Sequence, residues 1–416
     1  ILAKEAINII LSEVRPLGFE KLPLLSSTER VIAEDITATR ANPPLDNSAM
    51  DGYAVKSSDT KGASEETPVI LKVIADLPAG GILKDRVNDG ETVRIMTGAP
   101  IPDGADAVVM VEYTERSETS NNKTGVKIFR KAKPGDNIRR AGEDFKIGDV
   151  VIQRGKVIRA PEVAMMATLG ISYITTYQKP SVAVLSTGDE LVDIYEPPTE
   201  GKIVNSNSYA IAAQIIGCGG QPVQLGIARD NKDDLEEKLS YGLNCDCIVS
   251  SGGVSVGDFD FVKDVLKDMG SDMRFWKVAM KPGKPLAFGT IGGKPAFGLP
   301  GNPISSMVAF EQFVRPALLK MAGRKDIFKT PVVAKLSKEI KKKPGRVHFV
   351  RAVLERENNN YRVTPLGEQG SGIISTMVRS NALILLPTEG TSYAMGDIVK
   401  VLPLDDSIMY QDTPPY

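Results

Sequence analysis

The sequence predicts a multidomain α/β-plus-β protein: a central α/β domain on a parallel sheet, a β-rich domain before it and a small β domain after it. Three observations carry this reading. From about residue 179, short apolar runs alternate with amphipathic stretches of about a dozen residues, the rhythm of βαβ units. Between 45 and 145, and again after 328, the apolar runs are short and broken by Gly, Pro, Asn and Asp. The chain has 416 residues, and single cores stop growing at roughly 250–300 residues.

Taken in order, residues 1–12 carry apolar residues at helical spacing, interrupted by Lys4 and Glu5, with no small-residue cleavage site after them. They read as an amphipathic helix rather than a signal peptide. A second helix is expected after Ser26-Ser27-Thr28-Glu29, where a hydroxyl can cap and Glu29 or Glu34 can favour the first turns. Pro43-Pro44 then enforces extended chain, and the turns at Ala79-Gly80-Gly81, Asn88-Asp89-Gly90 and Pro102-Asp103-Gly104 punctuate a β-rich segment. Residues 160–170 read as a helix with Pro161 in its first turn and Gly170 at its end. In the α/β region, strands are expected at 182–185, 222–227 and 245–249, and helices at 207–216, 231–243 and 259–269. Runs at 347–355 and 361–365 flank Asn358-Asn359-Asn360 as a hairpin, and 382–386 and 398–402 add strands to a small barrel or sandwich. The expected division is 1–44 with 146–178 as a helical linker domain, 45–145 as an inserted β-rich domain, 179–327 as the α/β domain, 328–405 as the last β domain, and 406–416 as a tail that frays.

Composition narrows the chemistry. Lys+Arg is 51 and Asp+Glu is 52, so the net charge is -1 and a broadly basic nucleic-acid binder is not the default. Aromatic residues are 6% of the chain, too few for a base-stacking surface. The three cysteines, Cys218, Cys245 and Cys247, are too few for a disulfide framework, and the last two sit in an apolar run typical of a buried strand. His348 is the sole histidine, which excludes a His-rich zinc site and disfavours a Ser-His-Asp triad. No run reaches 18 apolar residues, so no spanning helix is expected, and a reduced, cytoplasmic compartment fits. Asp, Glu, Lys, Arg, Ser, Thr and backbone groups must carry any chemistry.

Several segments could. Ser250-Ser-Gly-Gly-Val-Ser-Val-Gly-Asp258 joins a strand to a helix, where glycines let amides approach an anion; no Gly-Lys-Ser/Thr follows, so it is not a Walker loop. Trp276-Lys277-Val-Ala-Met-Lys281-Pro-Gly-Lys284 places three ammonium groups near a strand end, suited to clamping a small oxyanion or equally to a solvated edge strand. Gly298-Leu-Pro300-Gly-Asn302-Pro303 opens a helix with Asn302 at its cap and Pro303 in its first turn. Asp189-Glu190 and Asp258/Asp260 lie just past strand ends, where one or two carboxylates plus substrate phosphates can hold Mg²⁺. Asp46-Asn-Ser-Ala-Met-Asp51 and Arg139-Arg140-Ala-Gly-Glu143-Asp144 read as site loops on a β scaffold; for the second, a surface ion-pair network is the plainer reading.

At these residues the chain resembles the molybdopterin molybdenumtransferases, the MoeA family, to which the gephyrin E domain is related. The matching segments, in the family's order, are Pro44-Leu-Asp-Asn-Ser-Ala-Met-Asp-Gly-Tyr-Ala-Val55, Met96-Thr-Gly-Ala-Pro-Ile-Pro102, Asn137-Ile-Arg-Arg-Ala-Gly-Glu-Asp144, Ser186-Thr-Gly-Asp-Glu190, Ser250-Ser-Gly-Gly-Val-Ser-Val-Gly257, Lys281-Pro-Gly-Lys-Pro285 and Gly298-Leu-Pro-Gly-Asn-Pro303. The resemblance implies a molybdopterin-binding-type three-layer α/β domain, a C-terminal β-barrel, and a homodimer with its active site shared between subunits. It implies insertion of molybdate, or near-isosteric tungstate, into adenylylated molybdopterin with Mg²⁺ and release of AMP, and no nucleic-acid or membrane partner. The substrate supplies the sulfur that molybdenum prefers. Carried over by position, Asp51, Asp144, Glu190 and Asp260 are the catalytic acids, with Asp51, Glu190 and Asp260 toward Mg²⁺. Thr97, Arg139, Arg140, Asn207, Ser251, Gly252, Gly253 and Ser255 bind the substrate, and Lys277, Lys281, Pro300 and Pro303 surround molybdate. Whether Asp258 or Asp260 takes the acid role stays open. Asn205 departs from the pattern, since some members carry Asp there. A scaffold role like that of gephyrin, or a different Mg²⁺-dependent phosphoanhydride hydrolase, are the alternatives; the chain shows no fused second cofactor-synthesis domain of the gephyrin kind.

Overall fold

The computed structural model describes residues 1–118, 124–252, 260–357 and 360–410. It divides into two compact units. One comprises Ile1–Glu34, Arg154–Val163 and Ser172–Tyr416; the other comprises Asp35–Gln153 and Ala164–Ile171.

The first unit contains a six-stranded sheet in the order Gln221–Ala228, Ser181–Thr187, Cys247–Ser251, Lys294–Leu299, Pro285–Ile291, Asp272–Lys277. The first four strands are parallel, and the last two are added by antiparallel pairings, so Pro285–Ile291 alone runs against the others. The Ser181–Thr187 strand is apolar on both faces, as a central parallel strand must be. Val182 and Val184 pack with Ile211 and Ile215 of the helix Ser206–Gly217, while Ala183 and Leu185 pack with Leu235 and Leu239 of the helix Lys232–Gly242. Two core clusters on opposite faces make the three layers. Asn231 caps the second of these helices through Oδ1, which accepts from the Asp234 amide at 3.0 Å. The helix Asp260–Asp268 follows the glycine loop.

The same unit ends in a closed barrel. Five strands run Val347–Glu357, Asn360–Pro365, Val332–Leu336, Ile398–Pro403, Ala382–Leu386, and the last pairs back onto the first, His348 opposite Leu386 and Ala352 opposite Ala382. Leu336, Leu354, Val363, Ile384, Leu386 and Val401 fill it. The hairpin expected across Asn358–Asn360 is present, with Glu357 opposite Asn360; Asn358 and Asn359 lie outside the described residues, as do residues 411–416 of the expected tail.

The helix expected after Ser26–Glu29 is absent. A 3₁₀ turn over Leu25–Ser27 gives way at Glu29, whose φ of 66° cannot continue a helix, and Val31 and Ile32 pair in isolated bridges with Val157 and Thr176. The capping chemistry of Ser27 is spent instead on the turn, its hydroxyl donating to the Leu24 carbonyl at 2.5 Å. The expected helices at the N-terminus and at 160–170 form as Ala3–Glu13 and Ala160–Thr168.

The second unit is built on a six-stranded sheet in the order Ala107–Met110, Gly52–Val55, Glu91–Ile95, Val69–Leu77, Thr124–Ile128, Thr114–Glu118. Tyr53 and Val55 face one cluster and Ala54 the other, so the strand after Asp51 is buried on both sides and anchors the loop before it. Among the described residues no helix is long and apolar enough to cross a membrane.

Candidate active site

In the α/β sheet the carboxyl ends of neighbouring parallel strands open onto one small cavity of about 90 Å³. It is lined by Thr187, Glu190, Asn205, Asn207, Ser251, Gly252, Gly301 and Pro303, among others. In open α/β sheets ligands bind at this edge, outside the carboxyl ends of the strands. Asn207, in the first turn of the helix Ser206–Gly217, ties the ends together: its Nδ2 donates to Ser251 Oγ at 2.8 Å and to the Gly301 carbonyl at 2.7 Å. Gly252 has φ +93°, and a Cβ there would lie 2.7 Å from the Thr187 carbonyl oxygen, so only glycine lets these two strands' turns approach. The Thr187 hydroxyl is buried with no partner among the described residues. Asn205 is 3% exposed; its Oδ1 accepts from Ser186 Oγ at 2.9 Å and from the Ser208 amide at 3.3 Å, so it serves as the helix cap. The Asn-Ser pair at a strand end before an apolar helix is the signal that announces this cap. Asn302 stands at the cap of the helix Pro303–Ala309, but its side chain makes no capping bond; Pro303 supplies the start.

Gly253, Ser255 and Asp258 lie outside the described residues, and Asp260 opens its helix with its side chain outside them. Pro300 accepts a long 3.5 Å contact from Ser251 Oγ at its carbonyl.

The lysines part company. Lys277 is the last residue of the edge strand Asp272–Lys277, whereas Lys281 belongs to a two-residue strand, Met280–Lys281, paired in parallel with Val347–His348 of the barrel. They do not share a strand, because the chain leaves one sheet and joins another between them. Lys281 lines a second, larger cavity of about 690 Å³ with Lys338, Lys341, Lys342, Lys343, Arg346 and His348; Glu339 is its one acid. Lys342 is 9% exposed, its ammonium held by the carbonyls of Lys343, Arg346 and Thr388 at 3.2–3.4 Å. His348 is 7% exposed and its Nε2 has no partner among the described residues. Burial, with Lys342, Lys281 and Arg346 nearby, pulls the His348 imidazole down to about 4. Sequence reasoning missed this cavity. The signal was the run Lys341-Lys342-Lys343-Pro-Gly-Arg346 immediately before a strand.

In the second unit the two loops singled out in the sequence are zipped together: Ser48 pairs with Ile138 and Asn47 with Arg139. Asp51 is exposed, and its Oδ1 accepts from both the amide and the hydroxyl of Thr97, each at 2.7 Å. Those two bonds, and the more distant Arg94 charge, hold its carboxyl below the usual range. The Arg140 guanidinium pairs with Asp46 at 2.5 Å while its amide donates to Glu143 Oε2 at 3.0 Å, and Asp46 also accepts from the Ala141 amide at 2.8 Å. Asp144 accepts from Asn42 Nδ2 at 2.9 Å. Arg139 is exposed on the paired segment. One loop cluster thus carries Asp51, Thr97, Arg139, Arg140 and Asp144, and Asp46 is the residue that orders it.

Among the described residues no three His, Cys, Asp or Glu side chains converge on a metal position, so there is no all-protein cage. Glu190 at the rim of the small cavity, with the unpartnered Thr187 hydroxyl inside, fits Mg²⁺ held by one or two carboxylates and substrate phosphates.

A doubly wound α/β domain with an anion-sized cavity at its carboxyl edge, joined to a closed β-barrel, defines the class: a multidomain α/β protein whose ligand edge is lined with donors suited to an oxyanion. Residues 1–170 match the MoeA N-terminal region (domain I and II), 183–320 the probable molybdopterin binding domain, and 333–404 the MoeA C-terminal region (domain IV). The chain is 37% identical to the molybdopterin molybdenumtransferase of Haemophilus influenzae, covering 95% of this chain and 99% of that one. It is likewise 37% identical to that of Bacillus subtilis, covering 92% and 89%. The crystal structure of the molybdopterin biosynthesis MoeA protein from Pyrococcus horikoshii superposes with a TM-score of 0.83 at 33% identity, covering 97% and 99%. The chain belongs to the MoeA family of molybdopterin molybdenumtransferases. It is a transferase of molybdenum cofactor biosynthesis, and the scaffold alternative gains no support.

Proposed function

We propose that the chain inserts molybdate into adenylylated molybdopterin, with Mg²⁺-dependent release of AMP. The observation that carries this is the donor set of the small cavity: hydroxyls, amides, backbone and a carboxylate, with no sulfur. All three cysteines are buried, and desolvation pushes the Cys218 thiol up to about 12 and those of Cys245 and Cys247 upward as well. The protein therefore offers molybdenum no thiolate, and the sulfur must come with the substrate.

In this reading Asn207, Ser251, Gly252, Gly253 and Ser255 hold the phosphates. Lys281, with Lys277 acting through its field, and Pro300 and Pro303 surround molybdate, a dianion whose desolvation requires compensating cations. Glu190, Asp260 and Asp51 hold Mg²⁺, which supplies charge to the phosphoanhydride when bound. Thr97 fixes the Asp51 carboxylate, while Asp144, Arg139 and Arg140 contact the substrate. We propose too that the working form is a cytoplasmic homodimer whose site takes the Asp51 loops from one subunit and the Gly252 cradle from its partner, on the four-domain division given above.

The test is incubation with adenylylated molybdopterin, Mg²⁺ and molybdate. AMP release with a metal-loaded pterin is expected. Substrate binding without turnover, or AMP release with no metal retained, refutes the proposal. Mixing Asp51→Asn with Asn207→Ala subunits should restore part of the activity; none after verified exchange refutes the shared site.

A further inference from the structure

Arg351 is the largest side chain buried without exposure. It sits mid-strand in the barrel, opposite Leu383, and among the described residues it has no acid partner. A guanidinium without a counter-ion costs more to bury than a Leu or Met of similar size. Its contacts show what that cost secures. Nη2 donates to the carbonyls of Glu368 at 3.1 Å and Gly370 at 3.0 Å. Its main chain is clamped by Gln369: the Arg351 amide donates to Gln369 Oε1 at 3.0 Å, and Gln369 Nε2 donates to the carbonyls of Arg351 at 3.1 Å and Leu366 at 2.6 Å. Leu366 returns its own amide to the Arg351 carbonyl at 3.0 Å.

The segment held this way faces two places at once. Leu366, Gly367 and Gln369 form a wall of the basic cavity, opposite Lys281, Lys342 and His348. One residue further on, the Ser371 carbonyl accepts the Ile304 amide at 3.1 Å, in the first turn of the helix whose Pro303 lines the small cavity. Arg351 Nε and Nη1 are buried with no partner among the described residues, so the two Nη2 bonds and the Gln369 clamp are what tie down a segment that touches both cavities.

We propose that Arg351 and Gln369 are positioning residues that hold segment 366–371 as a rigid wall between the basic cavity and the Pro303 side of the phosphate cradle, fixing where the oxyanion meets the bound pterin. This rests on the reaction proposed above. A lysine ammonium could serve the same two carbonyls with its own donors, so the informative change is Arg351→Met, which keeps much of the buried volume and removes both donors.

The experiment uses Arg351→Met and Gln369→Leu in the full chain, with three readouts: thermal melting, steady-state kinetics in each substrate, and NMR titration of His348, the sole histidine. A loosened wall admits water to the basic cavity. Both variants should raise the molybdate concentration for half-maximal rate about tenfold, with the adenylylated-pterin affinity within about twofold of wild type. The His348 titration should move from about 4 toward its ordinary 6.5. Unchanged molybdate dependence and unchanged His348 titration in folded variants overturn the proposal. So does a loss in both substrates that merely tracks lowered melting. If Arg351→Met does not fold, Gln369→Leu decides. If the wild type shows no turnover, the reaction reading fails, and the His348 titration still tests the wall.

Discussion

Removing the Asn207 amide tests the cradle most directly. Asn207→Ala deletes the two bonds that tie Ser251 and Gly301 to the helix start, at 2.8 and 2.7 Å. Each is worth about 0.5–1.5 kcal/mol net, so the strand ends lose about 1–3 kcal/mol of mutual restraint. Gly301 is exposed and water can take its carbonyl, which argues for the lower half of that range in stability. Ser251 keeps only its 3.5 Å contact with the Pro300 carbonyl. If the restraint is used to present phosphate donors, kcat/KM falls about tenfold to a hundredfold, at about 1.4 kcal/mol per factor of ten. Asn207→Asp keeps the volume, removes both donors and sets a negative charge against the Gly301 carbonyl and the incoming phosphates, so it should be worse than alanine. The assay is AMP release at fixed Mg²⁺ and saturating molybdate, with adenylylated molybdopterin varied. An Asn207→Ala enzyme within about twofold of wild type, or an aspartate variant better than the alanine one, refutes the cradle.

Asp51→Asn should leave melting unchanged, because the side chain is exposed and can still accept from Thr97, while AMP release falls about a hundredfold; wild-type-like release removes Asp51 from the chemistry. Lys281→Ala should raise the half-saturating molybdate concentration more than Lys277→Ala does, since only Lys281 lines the basic cavity; equal effects, or effects on pterin affinity alone, contradict that placement. His348 makes stability pH-dependent. Its folded value of about 4 lies below its ordinary 6.5, so the unfolded chain binds more protons between them; stability is full above pH 6.5 and falls as pH drops toward 4, by at most about 3 kcal/mol. Urea unfolding across that window should show the slope, and His348→Gln should flatten it.

The α/β half of the fold was legible in the sequence because its inner strands are apolar runs closed by Gly-containing turns and two of its helices bring their own caps, at Asn205 and Asn231. The Ser26–Glu29 segment misled because a hydroxyl-rich cap signature also suits a tight turn, and tertiary pairing of Val31 and Ile32 outweighed it. Asn207, Ser251 and Gly252 line one cavity at the carboxyl edge of the sheet, and their part in holding phosphate is the proposal above. Lys277 and Lys281 stand on different strands because the chain leaves one sheet and joins another at Val278–Ala279, a crossing that their spacing of four does not reveal. The basic cavity was invisible because it needs the register His348 opposite Leu386 and Lys281 opposite His348, contacts between segments far apart in the chain. Asp46 was legible as part of a polar loop, but its partner Arg140 lies 94 residues away.

The closed ring of the C-terminal barrel has a dynamic consequence. In an open sheet the outer strand can fray while the rest persists. Here each of the five strands has two bonded neighbours, so detaching any one breaks two ladders at once. Its amides should therefore exchange with solvent together, as one cooperative block, rather than in a gradient from edge to centre. Met280–Lys281 is stitched onto that block through Val347 and His348, so Lys281 inherits its slow opening. The cation that would receive molybdate stands on one of the least yielding parts of the chain.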